Sequence, residues 1–212
     1  SVVFHRLTHF LSENAFQQAV DYIEKEKLDK RLRRYEKRIG ESRAQAIRYT
    51  CGQAYFILGN YDQASDWFFQ IVNNARAKAN PTARLVSEIL HHICHFELGS
   101  FPKDPFRPLK NLREKLERNE KNDELALPED SEELRRRKKM ADFHAELFSA
   151  LRTLFVPKDQ LSDKKTQGIS TILHEKIDGS KTLQTSYAVI LAWIEARCNG
   201  TLVAEEIKKY NK

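Results

Sequence analysis

Apolar and polar positions alternate with a helical period along most of the chain, most clearly from Tyr49 to Phe68, YTCGQAYFILGNYDQASDWF. Two amphipathic stretches meet there at Leu58-Gly59-Asn60. In the first, Gly52 and Tyr55 lie three apart and share a face; in the second, Tyr61, Ala64 and Phe68 form one stripe that can close on it. Gly59 can take the left-handed backbone that ends a helix, and Asn60 can cap the next. The spacing predicts a helical hairpin whose arms cross closely at Gly52 and Ala64.

Similar patterns flank this hairpin. Phe4, Leu7 and Leu11 predict a helix interrupted at Ser12 and Asn14, and Phe16, Ala19, Val20 and Ile23 open another. Asn14, Phe16 and Ala19 repeat the spacing of Gly59, Tyr61 and Ala64, 45 residues earlier. Leu28, Leu32, Tyr35 and Ile39 run as a stripe through a charged segment, so the helix carrying Tyr55 starts near Lys30 unless Gly40 breaks it. After Pro81 and Thr82, Leu85, Ile89, Ile93 and Phe96 predict a helix ending in FELGSF, an echo of FILGNY at an offset of 40. Pro102, Pro105 and Pro108 then displace the following helix to about 105–120.

Beyond it, the acidic stretch from Asn119 to Glu133 reads as a loop around Pro128, with Asp123, Glu124, Glu129 and Asp130. Ser131 caps a helix with Glu132-Glu133 in its first turn, where the helix dipole favours carboxylates. That helix continues through RRRKK at 135–139 and through Met140, Phe143, Leu147, Leu151, Leu154 and Phe155, to a stop at Val156-Pro157. The tail holds a stripe from Ile169 to Ile177 ending at Asp178-Gly179, a helix capped by Ser180 and closed by Asn199-Gly200, and a last helix from Thr201 to Tyr210.

Gly52, Tyr55, Gly59, Tyr61, Ala64 and Phe68, in that order, resemble the tetratricopeptide repeat (TPR), whose period is about 34 residues. Arg48 stands where the family usually has Trp, and Pro81 comes about five residues later than the family's closing proline, which predicts a lengthened second helix. Trp193-Ile194-Glu195, Asn199-Gly200-Thr201 and Ala204-Glu205-Glu206 resemble the closing segment of bacterial TPR-like proteins of unknown function. The resemblance implies one all-α domain, a right-handed α-solenoid of stacked hairpins with stretched, irregular repeats. Its parts are a first hairpin and charged helix at 1–44, the best-matching hairpin at 45–80, a third hairpin at 82–120 and C-terminal helices at 131–212.

Composition fits this reading. A chain of 212 residues can bury roughly 70% of its unfolded surface. With only 7 Gly, 6 Pro and 31% charged residues, long helices are unobstructed. No run approaches the roughly 18 apolar residues of a membrane span. Ser1-Val2-Val3 opens no signal pattern, and a start at Ser rather than Met reads as an excised fragment. Cys51, Cys94 and Cys198 are odd in number and far apart, which predicts buried thiols in a reducing, cytoplasmic setting. The net charge of +6 favours acidic partners.

Candidate chemistry is sparse. His5 and His9 lie four apart with no further ligands nearby. His91, Cys94 and His95 share a face and are zinc-ligand types, but alignment of the two hairpins puts His91 and His95 where Cys51 and Tyr55 stand, at packing positions. We expect no metal and no cofactor there. There is no glycine-rich phosphate loop, nucleophile elbow or His-Glu-x-x-His motif, so no catalytic residue is expected and the chain reads as a non-enzyme. The basic runs read first as solvated helix faces, and otherwise as a surface for an acidic partner or nucleic acid.

The expected function is a protein-protein interaction scaffold, with RNA binding by the basic surface as the alternative. Cys51, Tyr55 and Leu58 are expected to turn toward the partner helix, so that Tyr49, Gln53 and Phe56 project from the other side, and Ile89, Ile93 and Phe96 likewise in the next hairpin. By the TPR resemblance these six line the groove for a protein or peptide. The same apolar surface is otherwise filled by the chain's own C-terminal helices around Trp193.

Overall fold

The computed structural model describes residues 2–74, 80–100, 106–125, 128, 131–161, 166, 168–177 and 180–211. Among them every regular element is helical: α1 (Val2–Ser12), α2 (Phe16–Lys25), α3 (Leu28–Ile39), α4 (Glu41–Ile57), α5 (Tyr61–Val72), α6 (Pro81–Glu97), α7 (Arg107–Leu125), α8 (Glu132–Leu154), α9 (Ile169–Ile177), α10 (Lys181–Asn199) and α11 (Val203–Glu206), with short 3-10 turns at Lys158–Gln160 and Ile207–Lys209. The protein is all-α. No described helix is long and apolar enough to cross a membrane. Ser1, Phe101, Pro102, Pro105, Glu129, Asp130 and Asp178-Gly179, all used in the sequence reading, lie outside the described residues.

The hairpin expected between Tyr49 and Phe68 forms as α4 and α5. Gly59 closes α4 with φ +77, and Gly99 closes α6 the same way with φ +65. These left-handed positions suit glycine because it has no Cβ to clash with the following carbonyl. Gly52 has a different role. A Cβ built on it would stand 2.6 Å from Cε1 of Phe68, a fully buried ring on α5. Glycine therefore lets the two helices approach closely. Gly52→Leu is expected to overpack this crossing and lower stability by about 1 to 3 kcal/mol, read from the urea midpoint; an unchanged midpoint would refute the crossing.

In the central part α5 packs against α4 and α6 against α5, while α1 and α2 both pack on α4. Residues from all of these, together with α8 to α10, join in one hydrophobic core. The chain then folds back, and α10 lies on both α6 and α8.

Three expectations change. The second helix of the central hairpin is not lengthened, because α5 ends at Val72 and Asn73 follows as its C-cap. The helix placed at 105–120 instead runs to Leu125 and leans on α8 more than on α6, so it does not simply complete a third hairpin. The acidic stretch is accordingly helical in its first part, since no Gly or Pro interrupts it before Pro128 and pairs such as Arg113–Glu117 at 2.6 Å support the helix upstream.

Several sequence signals are met. Ser131 Oγ accepts from the Leu134 backbone N–H at 3.2 Å, and Ser180 Oγ from that of Leu183 at 3.4 Å. Gly40, with φ +81, separates α3 from α4.

Candidate interaction surface

The six residues expected to line a groove do not form an open surface. Phe56, Ile89 and Ile93 are fully buried, and Tyr49, Gln53 and Phe96 are partly so. The two faces of α4 are exchanged relative to expectation. The Phe56 ring meets Tyr61 at 5.3 Å and Phe68 at 6.4 Å, and Tyr49 meets Phe68 at 6.3 Å, all across the hairpin. The reason is geometric: Gly52 must sit at the closest approach to α5, and Tyr49 and Phe56 lie three before and four after it on the same face. Tyr55 turns instead to α2, where its hydroxyl donates to Glu24 Oε1 at 3.4 Å.

On α6 the expected groove is covered by the chain's own C-terminal half. Phe96 packs on Phe155 at 4.6 Å and Trp193 at 6.5 Å, with the Arg197 guanidinium 4.7 Å from its ring centre. Trp193 Nε1 donates to Glu97 Oε1 at 2.8 Å. Arg197 reaches the same oxygen at 3.4 Å and donates to the carbonyls of Leu154, at 2.9 Å, and Val156. These bonds satisfy the last carbonyl of α8 and one just beyond it, and tie α10 to α6 in one step.

The histidines of α6 form a packed group beside α5. His91 Nδ1 lies 3.0 Å from Ser65 Oγ, and its Nε2 lies 3.3 Å from His95 Nε2. Among the described residues no three His, Cys, Asp or Glu side chains converge as a metal site would require. Burial, assisted by the neighbouring imidazoles, pushes the pKa of His91 and of His92 down to about 4. Above pH 6.5 both rings are neutral in the folded and unfolded chain alike. Between pH 6.5 and about 4 the unfolded chain takes up protons that the folded chain refuses, so stability falls with pH there. The double variant His91→Gln, His92→Gln is expected to flatten that decline in melting temperature; an identical decline would refute the role of these rings. The Cys51 and Cys94 thiols are buried, and burial pushes both upward, away from the thiolate form that reacts.

An open concavity lies elsewhere, beside the central hairpin. A cleft of about 700 Å³ runs between α2, α3 and α5. Trp67 and Phe69 form its apolar floor together with Ile23 and Leu28, and Phe69 is 49% exposed. Asp29, Lys30 and Asp66 are among the polar groups around it.

One wall, α3, is fastened by Arg48, the residue that departs from the TPR pattern. Its guanidinium is buried and makes a two-pronged pair with Glu36 at 2.8 and 2.9 Å, while its Nε donates to Gln70 of α5 at 3.2 Å. Hydrogen bonds from Arg48 hold the Glu36 carboxyl below its usual range. Gln70 also donates to Asp29 at 3.4 Å, and both residues line the cleft.

Sequence reasoning did not find this cleft, but one signal was present. Trp67-Phe68-Phe69 puts three aromatics in a row, and consecutive residues on a helix point about 100° apart. With Phe68 committed to Gly52, its neighbours must face elsewhere.

A second polar cluster joins α9, α10 and the C-terminal turn. Glu195, almost fully buried, accepts from Tyr210 at 2.9 Å and pairs with His174 at 2.7 Å and Lys209 at 3.4 Å. Each member is satisfied by the others, which suits a fastening of the chain end.

No family model, curated protein or solved structure matches the chain.

Proposed function

We propose that the protein is a non-catalytic interaction module, a TPR-like right-handed α-solenoid with stretched repeats, that holds a protein segment in the cleft between α2, α3 and α5. The observation carrying this reading is the cleft itself. Half-exposed Phe69 stands in it beside the edge of largely buried Trp67, and a large exposed aromatic in a concave surface is the kind of anchor a partner segment covers. On α6, Phe96 is already covered by the chain's own Phe155, Trp193 and Arg197, and Ile89 and Ile93 are fully buried. Catalysis has no support among the cysteines, two of which are buried with raised pKa values. The three free thiols favour a reducing, cytoplasmic setting.

Phe69→Glu tests the reading, because the side chain already reaches solvent and the change leaves the core intact. Wild type and variant, each immobilised, are exposed to native cell extract. At least one protein retained by wild type and lost by the variant is expected; identical retained sets would overturn the assignment of the cleft.

A further inference from the structure

Charge is unevenly placed. Residues 25–43 hold nine Lys and Arg against four Asp and Glu, a surplus of five in a chain whose total is +6. All four carboxylates are engaged: Glu26 by Arg31, Asp29 by Arg33 at 3.1 Å, Glu36 by buried Arg48 at 2.8 Å and Glu41 by Asn74 at 2.8 Å. Lys30, Arg34, Lys37 and Arg38 meet no carboxylate among the described residues, and all four are exposed. Their spacing places them on the side of α3 away from buried Leu28 and Leu32. Like charges three and four apart disfavour a helix, so a ligand of opposite sign on this stripe would relieve that repulsion.

Lys30 also lies on the cleft, which makes the cleft and the stripe continuous. The cleft itself is charge-balanced, with Lys27, Lys30 and Arg33 against Glu24, Asp29 and Asp66. Asp66 has no partner among the described residues and can accept from a peptide N–H. A phosphate backbone offers that carboxylate only more negative charge.

We propose that the cleft and the α3 stripe together bind an acidic protein segment. Its apolar side chain seats against Trp67 and Phe69, and the carboxylates beside it follow Lys30, Arg34, Lys37 and Arg38. From Lys30 to Arg38 the helix rises about 12 Å, which about four residues of extended chain span. This inference rests on the reading of the cleft as a partner site.

Panning a phage library of random dodecapeptides on the purified protein separates the two claims. Enrichment of sequences combining an aromatic residue with a run of Asp and Glu is expected. A fluorescent consensus peptide should then lose affinity at least about tenfold on the exposed charge reversal Lys30→Glu, Arg34→Glu, Lys37→Glu, with helical content unchanged by circular dichroism. Enriched peptides without acidic residues would overturn the inference and leave the cleft as a partner site. No enrichment would overturn both. Tighter binding of a fluorescent dodecauridylate RNA than of the acidic peptide, lost in the same variant, would overturn the inference in favour of nucleic acid.

Discussion

Arg197→Met is expected to lower the free energy of unfolding by about 3 to 5 kcal/mol, the usual range when one partner of a buried ion pair is removed. The side chain is 4% exposed and serves five groups at once: Glu97, the carbonyls of Leu154 and Val156, and the rings of Phe96 and Trp193. Methionine fills most of the volume and removes every donor. Two carbonyls then lose their partner, and Glu97 keeps only the Trp193 N–H. Urea unfolding measures the loss. A change below about 1 kcal/mol would mean that α10 is held on α6 by apolar packing alone. The double variant with Glu97→Gln should lose less than the two single losses combined, because neutralising the carboxylate removes the unpaired charge.

Phe56→Ser should cost a similar amount, about 3 to 5 kcal/mol, through the cavity left between α4 and α5. The ring has no exposure and packs edge-on against both Tyr61 and Phe68. Had this residue faced an open groove, the same substitution would leave stability nearly unchanged and abolish partner binding. Phe96→Ser is the companion measurement for the α6 side, where the ring is sandwiched between Phe155 and Arg197. Stability retained in both variants would refute the closed arrangement.

The contrast between these two residues and their expected role shows where sequence reading stopped. The α4–α5 hairpin was legible because a helical period, a glycine at the turn and a glycine at the crossing coincide within twenty residues. Which apolar side of α4 meets which neighbour was not. Eleven of its residues are buried, including Gln45, Arg48 and Thr50, so the helix is enclosed nearly all round and periodicity carries little contrast. The cleft was illegible for another reason. It exists between α3 and α5, and depends on how far Arg48 draws one toward the other, a long-range placement that no local pattern encodes. Arg48 itself was visible only as a departure from the repeat.

The clasp between α6 and α10 also bears on synthesis. Its bonds join residues 96 and 100 apart in sequence, Trp193 and Arg197 to Glu97. At about 5 to 20 residues per second, α10 is made some 5 to 20 s after α6. Until Phe155 is made the side of α6 that carries Phe96 has none of its final cover, and until α10 follows it lacks Trp193 and Arg197, although the α4–α5 hairpin is already complete. Transiently exposed apolar surface of this kind favours aggregation, so slowing translation across residues 100–190 is expected to lower the soluble yield.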